Sequence, residues 1–180
     1  GVTGAQSRVY DGGLQAALNG YFEGLVTGDQ VGMAGLLGSF RDKHVGTGKV
    51  VDYQVATGHL TGADAGNYVL NGNAGSTTAD IAARALNVNV NGINKTYDGT
   101  TAAQVNFGDD RIFGDAVSVS ANAAFANRNA GSGKAVHASG LVLGGNELGN
   151  YSLAATTADG TAAITARVLN YGVTGAQSRV

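Results

Sequence analysis

Apolar residues alternate along this chain instead of recurring at helical spacing. Leu86, Val88 and Val90 interleave with Asn87, Asn89 and Asn91. Ala116-Val117-Ser118-Val119-Ser120, Val51-Asp52-Tyr53-Gln54-Val55 and Tyr151-Ser152-Leu153 keep the same beat. A period of two belongs to strands buried on one face. Clusters of Gly, Asn and Asp break the chain roughly every eight to twelve residues, the spacing of an all-β sandwich or barrel. Only residues 13–20 (GLQAALNG) and 32–37 could hold a helical turn, and both runs are short and rich in glycine.

The alternation sits inside a repeat. Tyr10-Asp11-Gly12 returns as Tyr97-Asp98-Gly99, and Gly28-Asp29 as Gly114-Asp115. Phe40 with Gly46-Thr47-Gly48-Lys49 returns as Phe125 with Gly131-Ser132-Gly133-Lys134, and Ala83-Arg84 as Ala166-Arg167. The offsets run from 87 down to 83 and keep their order. Residues 1–84 and 85–167 are therefore read as two copies of one unit, each able to bury a small core of its own. Residues 1–9 (GVTGAQSRV) recur unchanged as 172–180. Residues 168–180 are accordingly expected to be the first strand of a third copy, in a window cut from a longer repetitive protein.

Composition narrows the possibilities. There are 30 glycines, no proline, no cysteine and no tryptophan, and the net charge is −2. Without cysteine there are no disulfides and no thiolate metal sites. No basic face emerges, so nucleic acid is not an expected partner. No apolar run approaches the ~20 residues of a membrane span.

One local pattern is sharper. Leu60, Asp64, Gly66, Tyr68 and Leu70 return at the same spacing as Leu143, Glu147, Gly149, Tyr151 and Leu153. This resembles the corner of immunoglobulin-like domains. There a tyrosine hydroxyl bends back to the backbone just upstream, and the residue two later faces the core. A generic hairpin turn with a buried tyrosine accounts for the same residues.

The resemblance extends further. KTYDGTT (95–101), a Gly-Asp, FANRNAGSGK (125–134), LVLGGNELGNYSL (141–153) and TAAITAR (161–167) follow in order. The first copy carries YDG, GD, SFRDKHVGTGK, LTGADAGNYVL and TTADIAAR in the same order. The set resembles the YDG repeats, related to MBG repeats, of large bacterial surface adhesins of the filamentous-haemagglutinin type. It implies a Gram-negative protein exported through an outer-membrane partner and held outside the cell, in which such repeats form the stalk.

Specific chemistry finds less support. A phosphate loop needs a glycine where Lys43 and Arg128 stand, and a Ser or Thr where Val50 and Ala135 stand. A tight turn before a strand is the simpler reading of both GTGK and GSGK. His44, His59 and His137 share no metal-ligand spacing. Asp64, Asp109, Asp110 and Asp115 lie in glycine-rich loops, but no calcium loop pattern contains them. No Ser/His/Asp or Cys/His set repeats in register. Tyr10, Asp11 and Gly12, like Tyr97, Asp98 and Gly99, suit a turn in which Asp accepts backbone N–H groups and Gly supplies a positive φ. A sugar-stacking role for the ring competes with that brace. Lys49 and Lys134, with Asn67 and Asn150, raise the idea of a Lys–Asn cross-link.

The expectation is two tandem immunoglobulin-like antiparallel β-sandwich domains, end to end, with strand running on through residues 83–90. They would act as spacers in adhesion or biofilm formation, as a monomer that is not an enzyme and takes no metal or cofactor. The alternative is a weak glycan- or matrix-polysaccharide-binding repeat that gains strength through avidity. Neighbouring repeats of the same chain are the expected partners.

Overall fold

The computed structural model describes residues 1–71 and 73–175. It is all-β: sixteen strands and three single turns of 3-10 helix occur among the described residues, with no α-helix. Two compact units form. One comprises Gly1–Leu86 with Arg111–Val117 and Gly145–Ser152; the other comprises Asn87–Asp110, Ser118–Gly144 and Leu153–Val180. The copies counted along the sequence are thus not the packing units, because two loops of the second copy pack within the first unit.

In chain order, the first unit has β1 (Val2–Ala5), β2 (Arg8–Val9), β3 (Gln15–Gly20), β4 (Gly32–Met33), β5 (Leu37–Phe40), β6 (Gly46–Val55), β7 (Leu60–Thr61), β8 (Asn73–Ala82) and β9 (Arg84–Leu86). Six of these make a sheet ordered β1-β3-β5-β6-β8-β2, and β4 pairs with β7. The alternation buries Ala16 and Leu18 of β3, Phe40 of β5, Val51 and Val55 of β6, and Ala79 and Ile81 of β8.

The second unit has β10 (Val88–Gly92), β11 (Lys95–Thr96), β12 (Val105–Asp109), β13 (Ser118–Phe125), β14 (Gly131–Gly144), β15 (Tyr151–Leu153) and β16 (Thr157–Thr165). The first two residues of β15 belong to the first unit, where this strand pairs with β9. The other strands form a pair, β10-β12, and a sheet, β11-β16-β14-β13. Phe125, Val136, Ala162 and Ile164 form one buried cluster; Val90, Ala138 and Leu141 form another. The topology repeats that of the first unit, with β10-β12 in the place of β1-β3.

Three expectations are corrected. Residues 13–20 and 32–37 hold no helical turn. Residues 15–20 are β3, where Ala16 and Leu18 are buried at alternate positions, and β4 and the start of β5 take parts of the other segment. The pairing is not wholly antiparallel either. β2 runs parallel to β8 (Arg8↔Ile81) and β11 parallel to β16 (Lys95↔Ile164). Finally, GTGK and GSGK do not precede strands but lie inside β6 and β14. One extra residue bulges each strand between Gly46 and Lys49, or Gly131 and Lys134, with Gly48 at φ +60° and Gly133 at φ +58°. Only glycine takes that backbone region without strain.

Through residues 83–90 strand is nearly continuous but changes partner, from β8 on β6 to β9 on β15 and then β10 on β12. Residues 166–175 carry no strand, and the rest of the expected third-copy strand, 176–180, lies outside the described residues. No helix among the described residues is long and apolar enough to cross a membrane.

Candidate functional site

Each Tyr-Asp-Gly turn follows a two-residue strand, β2 or β11. Asp11 Oδ1 accepts the N–H of Gly13 at 2.8 Å, and Gly12 sits at φ +78°. Asp98 Oδ1 accepts the N–H of Thr100 at 2.8 Å and its hydroxyl at 2.9 Å, with Gly99 at φ +83°. Each turn is clamped by a basic residue two positions before the tyrosine. Arg8 pairs with Asp11 and donates to the Gly13 carbonyl, while its guanidinium lies 5.2 Å from the centre of the Phe40 ring. Lys95 Nζ donates to Asp98 Oδ1 at 2.9 Å and to the carbonyls of Thr100 and Ala102 at 3.0 and 2.9 Å, 5.5 Å from the centre of the Phe125 ring. The Lys95 ammonium, then the Thr100 donors, hold Asp98 at about 2. Sequence reasoning missed the clamp, although a basic residue at this position and a phase-locked phenylalanine recur in both copies.

The tyrosines themselves diverge. In the first unit Tyr10 is fully buried. Its hydroxyl donates to Asp115 Oδ2 at 2.7 Å, and the hydroxyl of Tyr151 donates to the same oxygen at 2.7 Å. The two rings meet edge to face with centroids 5.5 Å apart. Lys43 Nζ reaches Asp115 Oδ1 at 3.0 Å, Glu147 Oε1 at 3.6 Å and the face of Tyr10. Asn150, only 3 % exposed, donates to Glu147 Oε2 at 2.5 Å and accepts the N–H of Val45 at 3.1 Å.

The local chain makes this geometry. Gly145 turns the backbone, Glu147 N–H bonds the Ala116 carbonyl, and the 3-10 turn Leu148–Asn150 delivers Tyr151 into β15. The first copy builds the same corner: Asp64 N–H on the Gln30 carbonyl, the turn Ala65–Asn67, then Tyr68. Gly66 and Gly149 are the middle residues of these turns. The tyrosine hydroxyls do not reach backbone just upstream, as an immunoglobulin corner would have them do. Tyr68 accepts from Val26 N–H and donates to Asp29, and Tyr151 accepts from Ile112 N–H and donates to Asp115. The Gly-Asp loop lies some 40 positions earlier in the chain. A long side chain anchored on a distant loop ties the corner to the body of the unit.

Electrostatics fix the protonation. Burial raises the Asp115 carboxyl, but hydrogen bonds from Tyr151, Tyr10 and Lys43 outweigh it and hold the group below its ordinary value. Burial, then the Asp115 bond, pushes Tyr151 up to about 12 and raises Tyr10. The Asp115 hydrogen bond raises Lys43. Two neutral phenols and one ion pair therefore persist around neutral pH. The hydrogen bonds on Asp115 tie Tyr10, Lys43 and Tyr151 together in one buried cluster.

The other candidates disperse. Lys49 Nζ pairs with Asp42 and Lys134 Nζ donates to Asn127 at 2.5 Å, each within its own hairpin. Neither ammonium is directed at Asn67 or Asn150. Asp64 caps Gln30 N–H and Asp110 bonds Asn87. His137 faces Asp159 at 2.6 Å. No metal-competent cluster of three or more His, Cys, Asp or Glu forms among the described residues.

The family model described as the YDG domain matches the chain twice, over residues 1–79 and 82–158. No curated protein and no solved structure matches it.

Proposed function

The chain belongs to the YDG domain family, and from that premise we propose that it supplies spacer repeats of an exported bacterial adhesin of the filamentous-haemagglutinin type. The repeats would be immunoglobulin-like modules outside the cell, carrying a binding region elsewhere in the protein. The observation that supports this most is the use made of the recurring residues. In both copies the Tyr-Asp-Gly turn is spent on its own clamp and the corner tyrosine on its own Gly-Asp loop. Groups needed once per module for folding must recur in every module; a ligand site need not. The Tyr10 ring, fully buried against Tyr151, offers no face to a sugar.

Small-angle scattering on chains of increasing copy number tests the proposal. The maximum dimension is expected to grow by a constant increment per copy. Growth with roughly the cube root of copy number, as for a compact globule, would overturn it.

A further inference from the structure

The Lys–Asn cross-link fails at Lys49 and Lys134, but similar chemistry is assembled at another lysine. Lys43 Nζ lies 3.0 Å from Asp115 Oδ1 and 3.6 Å from Glu147 Oε1, and all three residues belong to the first unit. The Asp115 side chain is only 4 % exposed. Its other oxygen, Oδ2, accepts two phenolic protons, from Tyr10 and from Tyr151, each at 2.7 Å. An ion pair requires only the first of these contacts.

Together the groups are the parts of an amide-forming reaction. The lysine nitrogen is the nucleophile, and the Asp115 carboxyl carbon, one bond from Oδ1, is its target. When that carbon becomes tetrahedral, Oδ2 gains negative charge, and two hydroxyls already point at it. Glu147 is a second base beside the nitrogen, able to carry a proton from it to the departing oxygen. Asn150 donates to Glu147 Oε2 at 2.5 Å, which leaves Oε1 for the lysine.

We propose that Lys43 and Asp115 condense into an intramolecular amide, with Glu147 as the proton carrier and Tyr10 and Tyr151 as the oxyanion donors. The ammonium first passes one proton to Asp115 Oδ1, leaving a neutral amine beside a neutral acid. The nitrogen lone pair bonds to Cγ, and the carbonyl electron pair moves onto Oδ2. The nitrogen gives a second proton to Glu147, which delivers it to Oδ1. The Cγ–Oδ1 bond then breaks, the carbonyl re-forms at Oδ2, and one water leaves. Glu147 ends ionised as it began, and no oxidant, reductant or further reactant is consumed.

The ion pair is the reactant. Its charges disfavour the neutral form, so attack is a rare event, but a bond that is made once and kept needs only one. Groups held in contact reach effective molarities of about 10⁵–10⁸ M when well oriented, which offsets the reluctance of an acid and an amine to condense in water. Burial of Asp115 keeps bulk water from Cγ and so opposes the reverse hydrolysis. Freshly folded chain titrates at Asp115, and condensed chain does not. Arg128 stands in the second copy where Lys43 stands in the first, and a guanidinium that stays protonated is no nucleophile. The bond closes a covalent loop across 72 positions of the chain. The use of such a brace under tension rests on the spacer reading, but its formation does not.

Intact mass of the full chain, purified and held folded at neutral pH for several days, tests the bond. Wild type is expected to lose the mass of one water, and trypsin to release residues 42–49 joined to 112–128 as one branched peptide. Lys43→Arg, which installs the residue of the second copy, should keep its full mass and a cooperative melt. Glu147→Gln should condense more than about 100-fold more slowly. A wild-type chain that keeps its full mass overturns the proposal. So does a water loss that persists in Lys43→Arg, or one that maps to the Asp-Gly steps at Asp11, Asp98 or Asp159, where closure of the side chain onto the backbone also expels water. Condensation of Glu147→Gln at the wild-type rate overturns the part given to its carboxylate. The wild-type mass and peptide map decide the bond itself even where a variant fails to fold. None of these results touches the scattering series, on which the spacer reading stands or falls separately.

Discussion

Tyr10 donates its phenolic proton to Asp115 at 2.7 Å across 105 positions of the chain. The bond is buried, and its acceptor carries a charge already paired with Lys43. A charged partner makes the bond strong, and burial makes its loss costly.

Tyr10→Phe should therefore lower stability by about 1.5–3 kcal/mol. Tyr97→Phe, at the equivalent but half-buried position, should change it by less than about 0.5 kcal/mol. Urea midpoints of the two variants measure the contrast. Equal losses would mean that the tyrosine acts only within its own turn.

Stability should fall at both ends of the pH scale. Asp115 is depressed in the folded state, so its contribution is fully present above the ordinary 3.8 and is lost as pH drops through the lower folded value. Tyr151 is raised, so its contribution is fully present below 10.0 and is lost as pH climbs to about 12. Thermal melts across pH should show Asp115→Asn flattening the acid limb and Tyr151→Phe the alkaline one. An unchanged acid limb in Asp115→Asn would place the responsible carboxylate elsewhere, Asp98 being the next to examine.

Lys95 fills a nest of oxygens beside Phe125. Lys95→Met should leave Asp98 and two carbonyls without their shared donor and cost about 1–2 kcal/mol. Lys95→Arg should recover most of the loss, because Arg8 does the same work in the first copy. Chemical denaturation reads both; failure of the arginine to rescue would mean that the two clamps are not equivalent.

Gly145 has φ +96°, and a Cβ there would lie 2.2 Å from the Ala116 carbonyl oxygen. Gly114 has φ +93° and open space. Gly114→Ala pays only backbone strain, about 1–2 kcal/mol. Gly145→Ala adds a clash with backbone that cannot move without breaking the Glu147–Ala116 bond, and should exceed about 3 kcal/mol. Comparable urea midpoints would show that the corner adapts.

Much of this was written in local pattern. The alternation around Val51 and Val55 marked β6 because every second side chain had a core to enter, and Asp11 and Gly12 marked a turn because their preferences are satisfied within three residues. GLQAALNG misled because Ala and Leu serve helix and strand alike, and a run of eight carries too few turns for helical propensity to prevail over a neighbouring strand. The Gly-Asp pairs stand out locally as repeat markers, and Lys43 stands out only as a misfit to a phosphate loop. Nothing local said that they meet. A hydrogen bond between residues 43 and 115 leaves no periodicity in either segment.

The sequence by itself determined the two-copy phase, the strands and the turns, since each depends on side chains within a few positions and on the φ that glycine permits. Only the tertiary structure decided which chain segments pack as one unit. Tyr10 and Tyr97 stand in the same motif, yet one is buried on a carboxylate and the other lies beside an open groove. Tyr10 owes its burial to a carboxylate 105 positions along the chain, and that is a property of packing and not of the residues that carry the motif.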